Sequence, residues 1–206
     1  MTVRRRAGRG NYDRAVIDAI LDEGLVAHVG IIAERQPYVI PVLYAREGES
    51  IYIHGSPLSR LLGRLAEAVP MCLTVTLLDG VVFARSAFHH SLNYRSVVVL
   101  GEGQVIADPA AKAAALRTVV EHVARGRADD VRGPDDKELD ATEVVAIAIR
   151  EASAKVRTGP PIDSAEDMDI PTWAGQLPIS LVPGQPVPDA GCDRPLPDYI
   201  ESYARA

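Results

Sequence analysis

The feature that most restricts this chain is a succession of short runs rich in Val, Ile, Leu and Tyr, several of them joined by breaks short enough for hairpins. Segments 25–33 and 37–45 flank the polar triplet Glu34-Arg35-Gln36, which is short enough for a hairpin connection. A third strand, Ile51 to His54, follows the turn-like Glu47-Gly48-Glu49. Val69 to Leu78 and Val81 to Ser86 read as two further strands about Asp79-Gly80, a dipeptide favoured in two-residue hairpins. A long strand runs from Arg95 to Ile106 with a bulge expected at Gly101 and Gly103, and a final strand covers 142–150. Six or seven strands linked in this way predict an antiparallel barrel or sandwich with helices at its periphery. The alternation of strand and helix is too irregular for a doubly wound parallel sheet.

Three helices are expected, one before the first strand and two between strands. Asp13 caps the first, Val16, Ile17, Ile20 and Leu21 share one face, and Gly24 stops it. Ser56 as cap and Pro57 as first helical residue open the second, whose Leu58, Leu61, Leu62 and Leu65 form an i, i+3, i+4, i+7 stripe. Asp108-Pro109 opens the third, with Leu116, Val119, Val120 and Val123 on its buried side, and a charged loop spans 125–139. Nine of the fifteen prolines lie between Pro160 and Pro197, which rules out long regular elements there. Trp173, Leu177, Ile179, Leu181 and Val182 make that segment too apolar for a solvated tail, so it is expected to wrap over the body or over a second subunit. The organisation is a basic arm over 1–12, a body over 13–158 and a proline-rich extension over 159–206.

With 206 residues, 47% of them hydrophobic and 24% charged, the chain suits one soluble globular domain with a substantial core. Its net charge of -6 speaks against nucleic acid as the main partner, because phosphate neutralisation needs a positive surface. Only Arg4, Arg5, Arg6 and Arg9 are locally basic, as expected of a solvated arm. No apolar run approaches the roughly 20 residues of a membrane helix, and no apolar stretch follows the arginine-rich start, so the expected location is the cytoplasm. Two cysteines, Cys72 and Cys192, imply neither a disulfide framework nor a zinc site. His89-His90 is a poor metal pair, since adjacent strand residues point to opposite faces.

Two stretches could carry chemistry. Ile51 to Arg60 combines free helix-start amides, Gly55, the Ser59 hydroxyl and the Arg60 guanidinium, the parts of a phosphate site, although an ordinary capped helix has the same parts. The run Phe88-His89-His90-Ser91-Leu92-Asn93-Tyr94-Arg95-Ser96 feeds polar groups into an apolar strand, where either a ligand or the fold must satisfy them. Neither a Gly-x-Ser-x-Gly elbow nor a phosphate-cradling Gly-Lys-Ser/Thr loop is present.

Five blocks in one order carry a resemblance: Pro37-Tyr38-Val39-Ile40-Pro41-Val42, Ile51-Tyr52-Ile53-His54-Gly55 with Ser59-Arg60, His90 to Val99, Ser153-Ala154-Lys155, and Pro171-Thr172-Trp173-Ala174-Gly175. Over roughly residues 10 to 180 the chain resembles the pyridoxamine 5'-phosphate oxidase-related, flavin-nucleotide-binding proteins, in the branch that includes the nitroimidazole reductases. The resemblance implies a mainly β fold, a six-stranded antiparallel split β-barrel of Greek-key type with peripheral α-helices. It also implies a homodimer holding FMN between subunits. Pro41 and Val42 would lie beside the flavin ring, and His54, Gly55, Ser59 and Arg60 would reach the ribityl chain and phosphate. Ser96 matches a flavin-facing position, Tyr94 and Arg95 adjoin it, and Lys155 or Trp173 would arrive from the partner. Leu61 stands where the oxidase has lysine, and the residues that grip pyridoxal phosphate are missing, so pyridoxamine phosphate oxidation is not expected. The implied activity is an FMN-dependent oxidoreductase acting on a small nitroaromatic- or quinone-like acceptor, with His54 delivering a proton and no metal ion. Alternatives within the fold are FAD, a deazaflavin (F420) cofactor, or a non-catalytic flavin- or haem-binding module with His54, His89 and His90 as haem candidates.

Overall fold

The computed structural model describes residues 2–4 and 6–204; Arg5 of the basic arm and the last two positions of the extension lie outside the described residues. In chain order the elements are β1 (Gly10–Asn11), α1 (Arg14–Glu23), β2 (Val26–Ala33), β3 (Gln36–Glu47), β4 (Ser50–Gly55), α2 (Arg60–Ala66), β5 (Pro70–Phe83), β6 (Ser91–Val105), α3 (Pro109–Val123), α4 (Arg127–Asp130), α5 (Asp136–Ala141), β7 (Glu143–Ala148), β8 (Glu151–Arg157), β9 (Gly175–Pro178) and α6 (Asp198–Glu201). The strands follow the order β1-β8-β6-β7-β4-β3-β2-β5-β9, and the additional pairing of β6 with β5 closes six of them, β2 to β7, into a ring. All neighbours are antiparallel. The expected six-stranded barrel is therefore present, with β1 and β8 added beside β6 and β9 beside β5.

Alternation dictates what fills the barrel. On β2, Ala27, Val29, Ile31 and Ala33 are buried while Val26, His28 and Ile32 are exposed, the period of a half-buried strand. Ala27, Val29 and Ile31 join Tyr44, Ile53, Leu73, Val75, Val97, Val99 and Ile147 in one cluster. Ile17, Ile20 and Leu21 of α1 and Leu61, Leu62 and Leu65 of α2 complete it. Tyr44 is fully buried, and its hydroxyl donates to the carbonyl of Leu21 at 2.5 Å, tying β3 to the last turn of α1. Tyr44→Phe should lower stability by about 1–2 kcal/mol, measured by urea unfolding, because the carbonyl loses a buried donor at almost unchanged volume.

Several sequence expectations need correction. Asp79-Gly80 is not a hairpin: β5 runs unbroken, with a register slip between Leu78 and Gly80. β6 is long enough to pair with both halves of β5, and the Asp79 carboxylate is held by Arg95 across the slip. At Gly101 and Gly103, β6 changes partner, leaving β5 at Glu102–Pro70 and joining β7 at Gly103–Ile147. The second helix starts at Arg60 with Ser59 as its cap residue. Ser56 and Pro57 belong to a turn in which the Ser56 hydroxyl accepts from Leu58 N–H and the Ser56 carbonyl from Ser59 N–H, leaving Leu58 95% exposed. The charged segment 125–139 contains the short helix α4 and most of α5, and the final strand of the body is followed by a further one, β8.

The proline-rich extension is anchored at both ends. Arg157 is buried, and it donates to the side chain of Asn93 and to the carbonyls of Gly159 and Pro160. Asn93 in turn donates to Gln176 on β9, which pairs with β5. Near the C-terminus, Tyr199 links Arg127 and Asp130 of α4, and Tyr203 donates to the carbonyl of Val123. The extension is thus tied to its own chain near both ends, while Leu181, Val182 and Val187 between them are exposed.

Candidate functional site

Two surfaces of the barrel could hold ligands, and they lie on different sectors of its outside. The first is a cavity of about 510 Å³ between the outer side of β4, helix α3 and the α4–α5 connection. Its wall is built from Leu116, Val119 and Val120 of α3 with Ala128, Val131 and Pro134 opposite, and His54 is its only histidine. Ile53 points into the barrel, so strand alternation turns His54 outward to this cavity. Its Nδ1 is buried without a hydrogen-bond partner, and burial pulls the imidazole below the ordinary histidine value. A neutral imidazole beside an apolar pocket has the chemistry of a metal or haem ligand. Arg117 and Arg132 add positive charge to the lining, paired with Asp129 and Glu138 respectively.

Sequence periodicity placed Leu116, Val119, Val120 and Val123 on one buried side of α3. Only Val119 of these is fully buried: Leu116 and Val120 are half-buried because they face the cavity, and Val123 is exposed. A larger cavity, about 710 Å³, opens between the start of β5, the bend of β6 and the β7–β8 turn. It contains no histidine, and none of the partnerless buried polar atoms among the described residues lies in its lining.

The second surface is the outward side of β2, β3, β5 and β6. A row of paired residues, Pro41–His28–Thr74–Val98, crosses the four strands. The flanking outward positions are Val26 and Ile32 on β2, Val39 and Leu43 on β3, Cys72 on β5 and Ser96 on β6. Apart from His28 none of these residues is charged or basic, although a quarter of the chain is charged. Val39 and Ile32 are more than 60% exposed, so the face is apolar and open.

The residues singled out by sequence divide between these places. Pro41 and Ser96 stand on the open face, and Lys155 pairs with Ser96, whose hydroxyl donates to the Lys155 carbonyl at 3.3 Å. Tyr94 lies two positions before Ser96, opposite Arg157. Val42 is half-buried and packs against the core. Arg60 lies with its guanidinium 4.4 Å over the ring of Tyr38, next to Val39. Ser59 caps α2 through its backbone, without a side-chain bond, and a Cβ at Gly55 would stand 3.4 Å from Leu62. Arg95 is taken up within the chain by Glu23 and Asp79, which keep it charged. Trp173 rests against Phe83 of its own chain, with ring centroids 5.8 Å apart. His89 hydrogen-bonds Ser86, and His90 stacks edge-on against Phe83, away from His54's cavity. Sequence reasoning missed His28; the available signal was one ionisable residue in the outward alternation of an otherwise apolar strand.

A closed antiparallel barrel with added strands, one helix-covered sector and one bare sector is a split-barrel architecture. The profile of the family described as Pyridoxamine 5'-phosphate oxidase matches residues 13–156, and the chain belongs to that family. Among solved structures, the flavocytochrome Anf3 from Azotobacter vinelandii is 43% identical, with 97% of this chain and 94% of that chain covered and a TM-score of 0.91. The FAD and heme binding protein from Mycobacterium smegmatis is 34% identical over 94% of this chain and 96% of that one, with a TM-score of 0.90. A protein from Bacteroides thetaiotaomicron described for 5-nitroimidazole antibiotic resistance shares the fold at 23% identity, with coverage of 71% and 86% and a TM-score of 0.61. No curated protein matches the chain. No helix among the described residues is long and apolar enough to cross a membrane.

Proposed function

We propose that this protein is a redox protein with two cofactors, a flavin nucleotide and a haem, that passes electrons to a small acceptor. The observation that carries the reading is the apolar cavity lined by His54, its one histidine, whose imidazole burial holds in the neutral form. Those residues fit a haem: a neutral imidazole for the iron, aliphatic walls for the ring and two guanidinium groups for its carboxylates. Support comes from a flavocytochrome and an FAD and heme binding protein at 43% and 34% identity over nearly the whole chain.

The flavin belongs with the open face. Pro41 and Ser96 stand on that face, and Lys155, paired with Ser96, supplies a cation for a phosphate. The uncharged surface between them suits a second copy of the chain, with the flavin held where two copies meet. FAD is favoured over FMN and over a deazaflavin because the mycobacterial relative binds FAD. Once bound, the cofactors supply the electron chemistry. His54 then holds iron rather than delivering a proton to flavin, since its side chain faces α3. Tyr44 pairs with Ile53, so Leu43 of the open face and His54 of the cavity occupy the next positions along adjacent strands. The two sites are thus neighbours on the barrel surface, as an electron path between them requires.

The test is an absorption spectrum of the purified protein before and after addition of haemin, with mass spectrometry of the compound released by heat. A Soret band together with an FAD mass is the expected result. A protein that takes up neither haemin nor flavin overturns the proposal, and flavin without a Soret band removes its haem half.

A further inference from the structure

We propose that Tyr199, near the end of the proline-rich extension, is a positioning residue for the His54 cavity: it latches the α4 wall and so sets how fast a ligand enters and leaves. This rests on the reading of that cavity as the haem site, although Tyr199 is not among the lining residues. α4 cannot fix its own place. It spans only Arg127–Asp130, a single turn, which is too short for helix formation to hold it. It follows Gly126, whose φ of 88° is left-handed, and no side chain caps its start. Its position therefore comes from side chains outside it. From α3, the Glu121 carboxylate accepts from the N–H groups of Gly126 and Ala128, both at 2.8 Å. Arg117 donates to the Ala128 carbonyl at 2.8 Å and to the Asp129 carboxylate at 2.6 Å. These bonds tie α4 to α3, where Ala128 and, just past the helix, Val131 line the cavity.

The other hold comes from the extension. Its run from 181 to 196 is exposed throughout, and then Tyr199, Ile200 and Tyr203 are half-buried. The Tyr199 hydroxyl accepts from the Arg127 guanidinium at 2.9 Å and donates to the Asp130 carboxylate at 2.6 Å, so one side chain bridges the first and last residues of α4. Its ring lies against the turn before the helix, where a β-carbon at Gly126 would stand 3.6 Å from the ring Cδ1. Tyr203 donates to the Val123 carbonyl at 2.8 Å and so satisfies the last turn of α3. Prolines 183, 186, 188, 195 and 197 restrict the chain that delivers the two tyrosines, which lowers the entropy lost when they dock. Tyr199 bonds the wall and not the ligand, so it holds the wall closed alike in the empty and the filled protein. A contact of that kind changes rates and leaves affinity alone, because a shift in affinity needs an interaction that differs between the two states. Loosening the latch speeds entry and exit together.

Haemin uptake by the full chain, and haemin loss to excess apomyoglobin, both followed at the Soret band, test this. Tyr199→Ala removes the ring and both bonds, and is expected to raise the two rates alike by about 10-fold with an unchanged dissociation constant. Tyr199→Phe, which keeps the ring and loses the hydroxyl, is expected to fall between alanine and wild type. Val187→Ala, at a position 90% exposed on the same extension, is expected to match wild type. A second readout needs no haemin: trypsin should cut within 125–132, which holds Arg125, Arg127 and Arg132, about 10-fold sooner in Tyr199→Ala at an unchanged melting temperature. Rates that stay at the wild-type value, faster exit alone with weaker affinity, or cutting that quickens only as the melting temperature falls each overturn the latch. A wild-type protein that takes up no haemin overturns the reading of the cavity instead; the tryptic comparison then decides the latch, faster cutting keeping it and equal cutting overturning it.

Discussion

Protein carrying His54→Ala should still bind flavin and should bind haem at least about 100-fold more weakly, with the loss read as a missing Soret band during haemin titration. The expected effect is large because the cavity offers no substitute: no methionine, cysteine, lysine or second histidine is among its lining residues. Free imidazole, small enough to enter the space the side chain vacates, should restore the band in part. Val120→Trp provides a second route, since Val120 lines the same cavity on α3 and a large ring there blocks it without touching the imidazole. Acid should act on the same site in a known direction. Burial lowers the His54 pKa, so between that lowered value and the ordinary histidine value of about 6.5 the unfolded chain takes up a proton that the folded chain refuses. Stability is therefore present above the ordinary value and falls as pH drops toward the lowered one; further acidification protonates the imidazole and removes its iron-binding lone pair. If the alanine protein gives an unchanged Soret titration, His54 is not the haem ligand.

The barrel was legible because alternation is a local signal, and the ring's strands from 26 to 55 fall within a few residues of where periodicity puts them. The Glu34-Arg35 connection was legible for the same reason; both residues adopt positive φ, as a tight hairpin requires. Asp79-Gly80 has equally strong hairpin chemistry and is no hairpin, because what decides it is the length of β6, a partner distant in the chain. The Asp79 side chain, which reads as a turn former, is spent on an ion pair with Arg95. The strand β8 was hidden in its composition, Glu-Ala-Ser-Ala-Lys-Val-Arg, where small residues blur the alternation; three of them entered only through family resemblance. The cavity shows the same limit from the other side. An apolar stripe on α3 announces that the helix buries a face, and it cannot distinguish packing against β4 from lining a space beside it. What the sequence placed near one flavin, His54 with Pro41 and Ser96, the fold divides between a helix-covered sector and an open one.

Gly103→Ala should be the most damaging single methyl in the barrel, costing about 3 kcal/mol and lowering the melting temperature by roughly 10 °C. A β-carbon at this position would stand 2.6 Å from Cγ1 of Val145, 2.7 Å from the carbonyl oxygen of Leu65 and 3.0 Å from its Cβ. The neighbour is backbone of a buried helix residue, so no rotamer change relieves the clash. Either β6 moves away from β7 at the point where their pairing begins, or α2 lifts from the core with Leu61, Leu62 and Leu65. Two glycines nearby serve as controls in the same thermal unfolding experiment. Gly101→Ala meets nothing nearer than 3.6 Å and should be close to neutral. Gly63→Ala, inside α2 with open space around it, should stabilise by about 1 kcal/mol through helix propensity alone. If Gly103→Ala behaves like Gly101→Ala, the seat of α2 is looser than the contacts around Leu65 require. The consequence reaches β3, since α2 begins at Arg60, whose guanidinium is held over the ring of Tyr38. A helix that lifts to accept the methyl breaks that contact as well, so the Arg60–Tyr38 stacking should be lost as the melting temperature falls.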